Sequence, residues 1–112
     1  MNSPRRAIIC QHGIPAGQLV ETEVGGWNFT YLPDYAGPPV SLVLPVSGEP
    51  YVFSDFPPFL EGLLPEGPQL EAILRKYKID RRDCFRQLIA VGQDLVGSLT
   101  AGQDPDLEGS VP

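Results

Sequence analysis

The chain has 112 residues, among them 12 Gly and 13 Pro, with 42% hydrophobic and 20% charged residues and a formal net charge of −6. This length and composition fit one compact domain and exclude a fibrous repeat or a disordered body, while the frequency of Gly and Pro favours short strands and many loops over a helical bundle. The negative charge excludes a grip on a nucleic-acid backbone, which requires clustered Lys and Arg to displace counterions.

Residues 7–11 are an apolar run containing Ile8 and Ile9, followed by turn chemistry at His12, Gly13, Pro15 and Gly17 and an alternating run over 18–22, which together predict a hairpin. Gly25 and Gly26 then punctuate the chain before Trp27, Phe29 and Tyr31, whose spacing of two places all three rings on one face of a strand. Residues 40–44 read as a further strand ended by Pro45, and 51–53 as a short one. The period then changes. Asp55 is the expected cap of a short helix entered through Pro57 and Pro58, with Phe59, Leu60 and Leu63 as its apolar stripe and Gly62 and Pro65 ending it. Pro68 opens a second helix, with Leu70, Ile73, Leu74 and Tyr77 on one side. Asp80 is the expected cap of a third, running through Cys84, Phe85, Leu88 and Ile89 to a left-handed stop at Gly92. Residues 95–100 return to strand character, and from Ala101 the apolar content collapses. The predicted fold is therefore α+β: a small, mostly antiparallel, partly barrel-like sheet, with two to three short helices in the second half. One module over 1–100 is expected, followed by a disordered acidic tail over 101–112.

The inventory of reactive groups is thin. The single histidine, His12, sits in a predicted turn, and two distant cysteines with one histidine cannot supply a zinc site at any usual spacing. Cys10 and Cys84 are expected to be reduced core residues of a cytoplasmic protein, since no apolar run suits a membrane span or a cleaved leader. No glycine-rich phosphate loop is present. An enzyme is not expected, nor a metal or other cofactor. A pocket using carboxylates such as Glu61 or Glu66 stays open as a rival reading.

Charge distribution carries more. No Lys or Arg occurs from Ala7 to Leu74, while Glu21, Glu23, Asp34, Glu49, Asp55, Glu61, Glu66 and Glu71 all lie in that span. A solvated acidic face explains this, and so does a surface complementary to a basic partner. Within it, residues 51–67 gather three Phe, one Tyr and three Leu among three prolines, more apolar area than one short helix hides. These rings either plug the end of a small sheet or project as anchors for a partner.

Several of these blocks resemble a known family. Gly17-Gln18-Leu19, Phe29-Thr30-Tyr31, Val40-Ser41-Leu42-Val43-Leu44-Pro45, Phe59-Leu60-Glu61-Gly62-Leu63-Leu64-Pro65-Glu66-Gly67, and Phe85-Arg86-Gln87-Leu88 with Val91-Gly92-Gln93-Asp94-Leu95-Val96-Gly97-Ser98-Leu99, follow the order seen in the amino-terminal subdomain of HipA-type serine/threonine kinases. In free-standing form such a subdomain resembles the HipS antitoxins of three-gene HipBST toxin–antitoxin systems. The resemblance implies a small α+β unit that binds and neutralises a companion HipT-type kinase, without kinase activity of its own. It also implies a larger complex with a HipB-type helix-turn-helix DNA-binding protein, and a non-inhibitory scaffold joining the two remains the alternative. The candidate anchors are Phe53, Phe56, Phe59 and Leu60, stiffened by Pro57. Leu64 extends the apolar surface, and Asp55, Glu61 and Glu66 supply the charge for a basic cleft.

Overall fold

The computed structural model describes residues 5–93, 95 and 99–103. The strands are β1 (Arg6–Gln11), β2 (Ile14–Glu21), β3 (Trp27–Tyr31), β4 (Tyr51–Phe53) and β5 (Leu99–Gln103), and the helices are α1 (Pro58–Glu61), α2 (Gly67–Tyr77) and α3 (Cys84–Val91). All pairings are antiparallel, in the order β4-β3-β2-β1-β5, so that β4 and β5 form the edges. The fold is α+β, as its strand-rich first half and helical second half predict. No helix among the described residues is long and apolar enough to cross a membrane.

Alternation makes the sheet two-faced. Ala7, Ile9 and Gln11 of β1, Trp27, Phe29 and Tyr31 of β3, and Leu99 and Ala101 of β5 are buried, and the residues between them are not. The helices cover this face: Leu60 of α1 and Phe85 and Leu88 of α3 join the same core cluster. The β1–β2 connection is tighter than its turn-rich sequence suggests, because His12 (φ 53°) and Gly13 (φ 80°) alone close the pair Gln11–Ile14. Two successive residues at positive φ match the right-handed twist of the strands, and glycine takes the second position without steric cost.

Four local expectations are corrected. Residues 40–44 are not a strand but a tight turn closed by an isolated bridge between Ser41 and Leu44. Pro38, Pro39 and Pro45 cannot donate to a ladder, and the place beside β3 is held by β4. Asp55 does not cap α1; the cap is Pro57, and with Pro58 next to it two of the amides left unpaired at a helix start do not exist. Asp83, not Asp80, caps α3 by accepting from the Arg86 amide at 3.1 Å, whereas Asp80 accepts from the Arg82 amide. Gly92 is right-handed (φ −56°), and it is Lys78 after α2 that adopts the left-handed conformation (φ 56°).

The carboxyl-terminal boundary also moves. Ala101 is buried and pairs with Ile9, and Gly102 and Gln103 pair with Ile8 and Ala7, so the strand runs three residues into the expected tail. The remainder of that tail, 104–112, lies outside the described residues, as do Asp94, Val96, Gly97 and Ser98 of the Gly-x-Asp-x-x-Gly stretch.

Candidate partner-binding surface

Register decides where the aromatic segment points. Phe53 pairs with Trp27 and Tyr51 with Phe29, which puts both β4 rings on the covered face and turns Val52 outward, 75% exposed. Phe56 meets Trp27 edge-on with ring centroids 5.3 Å apart, and Phe59 meets Phe29 in the same way at 5.4 Å. Such perpendicular contacts match the quadrupoles of the two rings. Pro57 and Leu60 are fully buried. Of the candidate anchors, then, Leu60 belongs to the core, and Phe53, Phe56 and Phe59 are half-buried against it. The segment plugs one side of the sheet with its rings and leaves Asp55, Pro58, Glu61 and Glu66 exposed.

What the segment does offer is the turn after α1. Leu63, Leu64 and Pro65, with Gln69 and Ile73 of α2, Val91 of α3 and Leu95, line a largely apolar cleft of about 770 Å³. Gly62 and Glu66 stand at its edge and are exposed, as is Glu61 one residue before. The structure thus brings Leu64 and Glu66 together in one concavity and sends Phe53, Phe56, Phe59 and Leu60 elsewhere. An apolar floor with a carboxylate at the rim suits a protruding aliphatic or aromatic side chain of a partner with a basic neighbour.

Cys84 opens α3 close to this region. Its thiol pKa is raised, first by burial and then by the carboxylates of Glu61 and Asp83. The thiolate is the reactive form, so alkylation of native protein by iodoacetamide at neutral pH is expected to be much slower at Cys84 than in urea-unfolded chain, read by peptide mass spectrometry. Equal rates in the two states would show that Cys84 is not shielded.

A second cluster was not anticipated from sequence. The Arg5 guanidinium is bonded to both carboxylate oxygens of Glu21 at 3.0 Å and to Asp83 at 2.8 Å, and it lies 5.6 Å from the Trp27 ring centroid and 5.1 Å from that of Phe85. Trp27 and Phe85 are themselves stacked at 5.5 Å. Arg5 therefore clasps β2 to the start of α3 over an aromatic pair. The hydrogen bond to Glu21 is the main cause that lifts its pKa above the ordinary guanidinium value, against the opposing effect of burial. The only sequence signal was its position, since with Arg6 it is the last basic residue before Arg75. Arg5→Leu is expected to cost about 1–2 kcal/mol, because the side chains remain partly exposed and solvent screens the pairing. Thermal unfolding of the variant measures this.

The third feature is the loop between β3 and β4. The Tyr31 hydroxyl donates to the Leu44 carbonyl and accepts from the Val40 amide at 3.0 Å. The Tyr51 hydroxyl donates to the Pro45 carbonyl at 2.6 Å, and Gln11 Nε2 donates to the carbonyls of Pro38 and Pro39. Burial raises the Tyr31 pKa, against the opposing effect of the hydrogen bond from the Val40 amide. Three strands thus hold the loop in one shape.

Comparison with known proteins is consistent with this architecture. The family described as HipA N-terminal domain matches residues 7–102. An uncharacterized protein of Haemophilus influenzae is 32% identical over 81 residues, which span 72% of this chain and 76% of that protein. A solved structure, the N-terminal domain of HipA toxin, superposes with a TM-score of 0.72 at 30% identity, covering 93% of this chain and 96% of that one.

Proposed function

Because the chain belongs to the HipA N-terminal domain family, we propose that it is a non-enzymatic antitoxin that docks on a companion serine/threonine kinase of a toxin–antitoxin system and inhibits it. The family match over residues 7–102 and the likeness to a domain of a toxin support the toxin–antitoxin setting. The single observation that carries a docking role is the apolar cleft built by Leu63, Leu64 and Pro65 with an acidic edge at Glu66. Binding there would bury apolar surface at its centre and leave carboxylates at the rim, where they steer a basic partner and raise the association rate.

The aromatic segment enters this reading in a changed role. Phe53, Phe56 and Phe59 fix the height and angle at which the turn after α1 is presented, through their contacts with Trp27, Phe29 and one another. The test is phosphoryl transfer by the proposed companion kinase, titrated with the purified protein. Activity is expected to fall to background at saturation and to persist with Leu64→Asp. Full activity in a stable complex would support a scaffolding role between the kinase and a helix-turn-helix partner.

A further inference from the structure

The most exposed large apolar side chain among the described residues, Leu42, lies outside the aromatic segment; Val24 at 92% comes next, flanked by Glu23 and Gly25, whereas Leu42 has an exposed apolar neighbour. Leu42 is 99% exposed and Val43 77%, side by side at the tip of the loop between β3 and β4. Beneath them the turn is closed by the bond from the Leu44 amide to the Ser41 carbonyl at 3.1 Å, and Val40 and Leu44 on either side are buried in the core. Tyr31 ties both flanks, and Tyr51 and Gln11 hold the adjoining prolines. A scattered surface aliphatic needs no explanation. Two adjacent ones lifted into water by a turn that three strands clamp are different: the ordering cost of presenting them is already met in the free chain.

The surroundings restrict the occupant. Residues 32–50 carry Asp34 and Glu49, both exposed, and no Lys or Arg. At the same end of the sheet, the first part of this loop (Leu32, Tyr35 and Pro38) and Ile14 and Pro15 of β2 line a largely apolar cleft of about 630 Å³, with His12 and Asp34 also in its wall. An anionic membrane would repel this end, whereas a protein pocket with an apolar floor and Lys or Arg at its rim matches it.

We propose that Leu42 and Val43 form a second anchor, inserted into an apolar, basic-rimmed pocket of the catalytic chain, at a distance in sequence from the cleft around Leu64. This rests on the antitoxin reading above for the identity of the partner. Together the two contacts make docking bivalent, so the module is held in one orientation on its partner.

Calorimetric titration of the kinase with the full chain, with Leu42→Asp/Val43→Asp and with Leu42→Met, tests this. The double variant is expected to bind about 30-fold more weakly with an unchanged melting temperature, and Leu42→Met to bind as the parent does. Parent affinity is expected to fall as salt is raised. As a second readout, the Leu42 and Val43 methyl resonances are expected to broaden on adding the kinase. Equal binding by parent and double variant, with those resonances unmoved, would overturn the anchor while leaving the antitoxin reading intact. Tip-dependent self-association, or tip-dependent binding to phosphatidylglycerol vesicles, would overturn it as well. A parent chain that binds no kinase defeats both readings.

Discussion

Leu60→Ala is expected to destabilise the domain by about 2–5 kcal/mol, lowering the melting temperature by roughly 10–20 °C. Leu60 has no exposed surface and joins the cluster of Phe29, Phe85 and Leu88, so truncation leaves a cavity that neighbours in α1, α3 and β3 can only partly fill. The prediction separates two roles for one residue. An anchor substituted by alanine would weaken partner binding with stability unchanged, whereas a core residue loses stability first. Glu61→Gln, one position along and exposed, is expected to change stability by less than about 0.5 kcal/mol. Thermal and urea unfolding of the pair measure the contrast.

Gly92→Ala is expected to be comparably damaging, at about 3 kcal/mol, for a different reason. A Cβ at this position would stand 1.9 Å from the Ala101 carbonyl oxygen and 2.9 Å from its carbon. The Ala101 amide also donates to the Gly92 carbonyl at 3.0 Å, so the end of α3 lies directly on β5. Relief would require moving an edge strand off β1. Amide exchange is expected to accelerate first in β5 of this variant, at Leu99 and Ala101; uniform acceleration through the sheet would point to global unfolding instead. Glycine here serves close approach of two backbones, not the left-handed stop that its position after an apolar helix suggests.

These two cases show what the sequence made legible. Spacing of two through Trp27, Phe29 and Tyr31 located a buried face, and spacing of three and four located α2 and α3, because local periodicity is what amphipathic burial leaves behind. Residues 40–44 have strand composition, yet their fate was decided by a hydroxyl nine residues before Val40 and by prolines that cannot pair. Composition alone could not report that. The same holds for the candidate site. The richness of 51–67 in rings was visible, but which rings face inward follows from the register of β4 on β3 and from the Trp27–Phe56 and Phe29–Phe59 contacts. Leu64 and Glu66 kept their place at an accessible cleft, while Leu42 and Val43 were hidden in what looked like a strand. Asp80 and Asp83 are equally good caps in isolation; only Asp83 sits immediately before the first helical residue, with an amide at the right distance.

The claim on which the functional reading stands is that this domain is held by a separate catalytic chain. Size-exclusion chromatography with light scattering, on the purified chain mixed with the proposed companion kinase, measures this directly. A single co-eluting species with the summed mass of both chains is the expected result, dispersed by raised salt together with Leu64→Asp. Two independent peaks at every mixing ratio, with both proteins folded, would contradict the account.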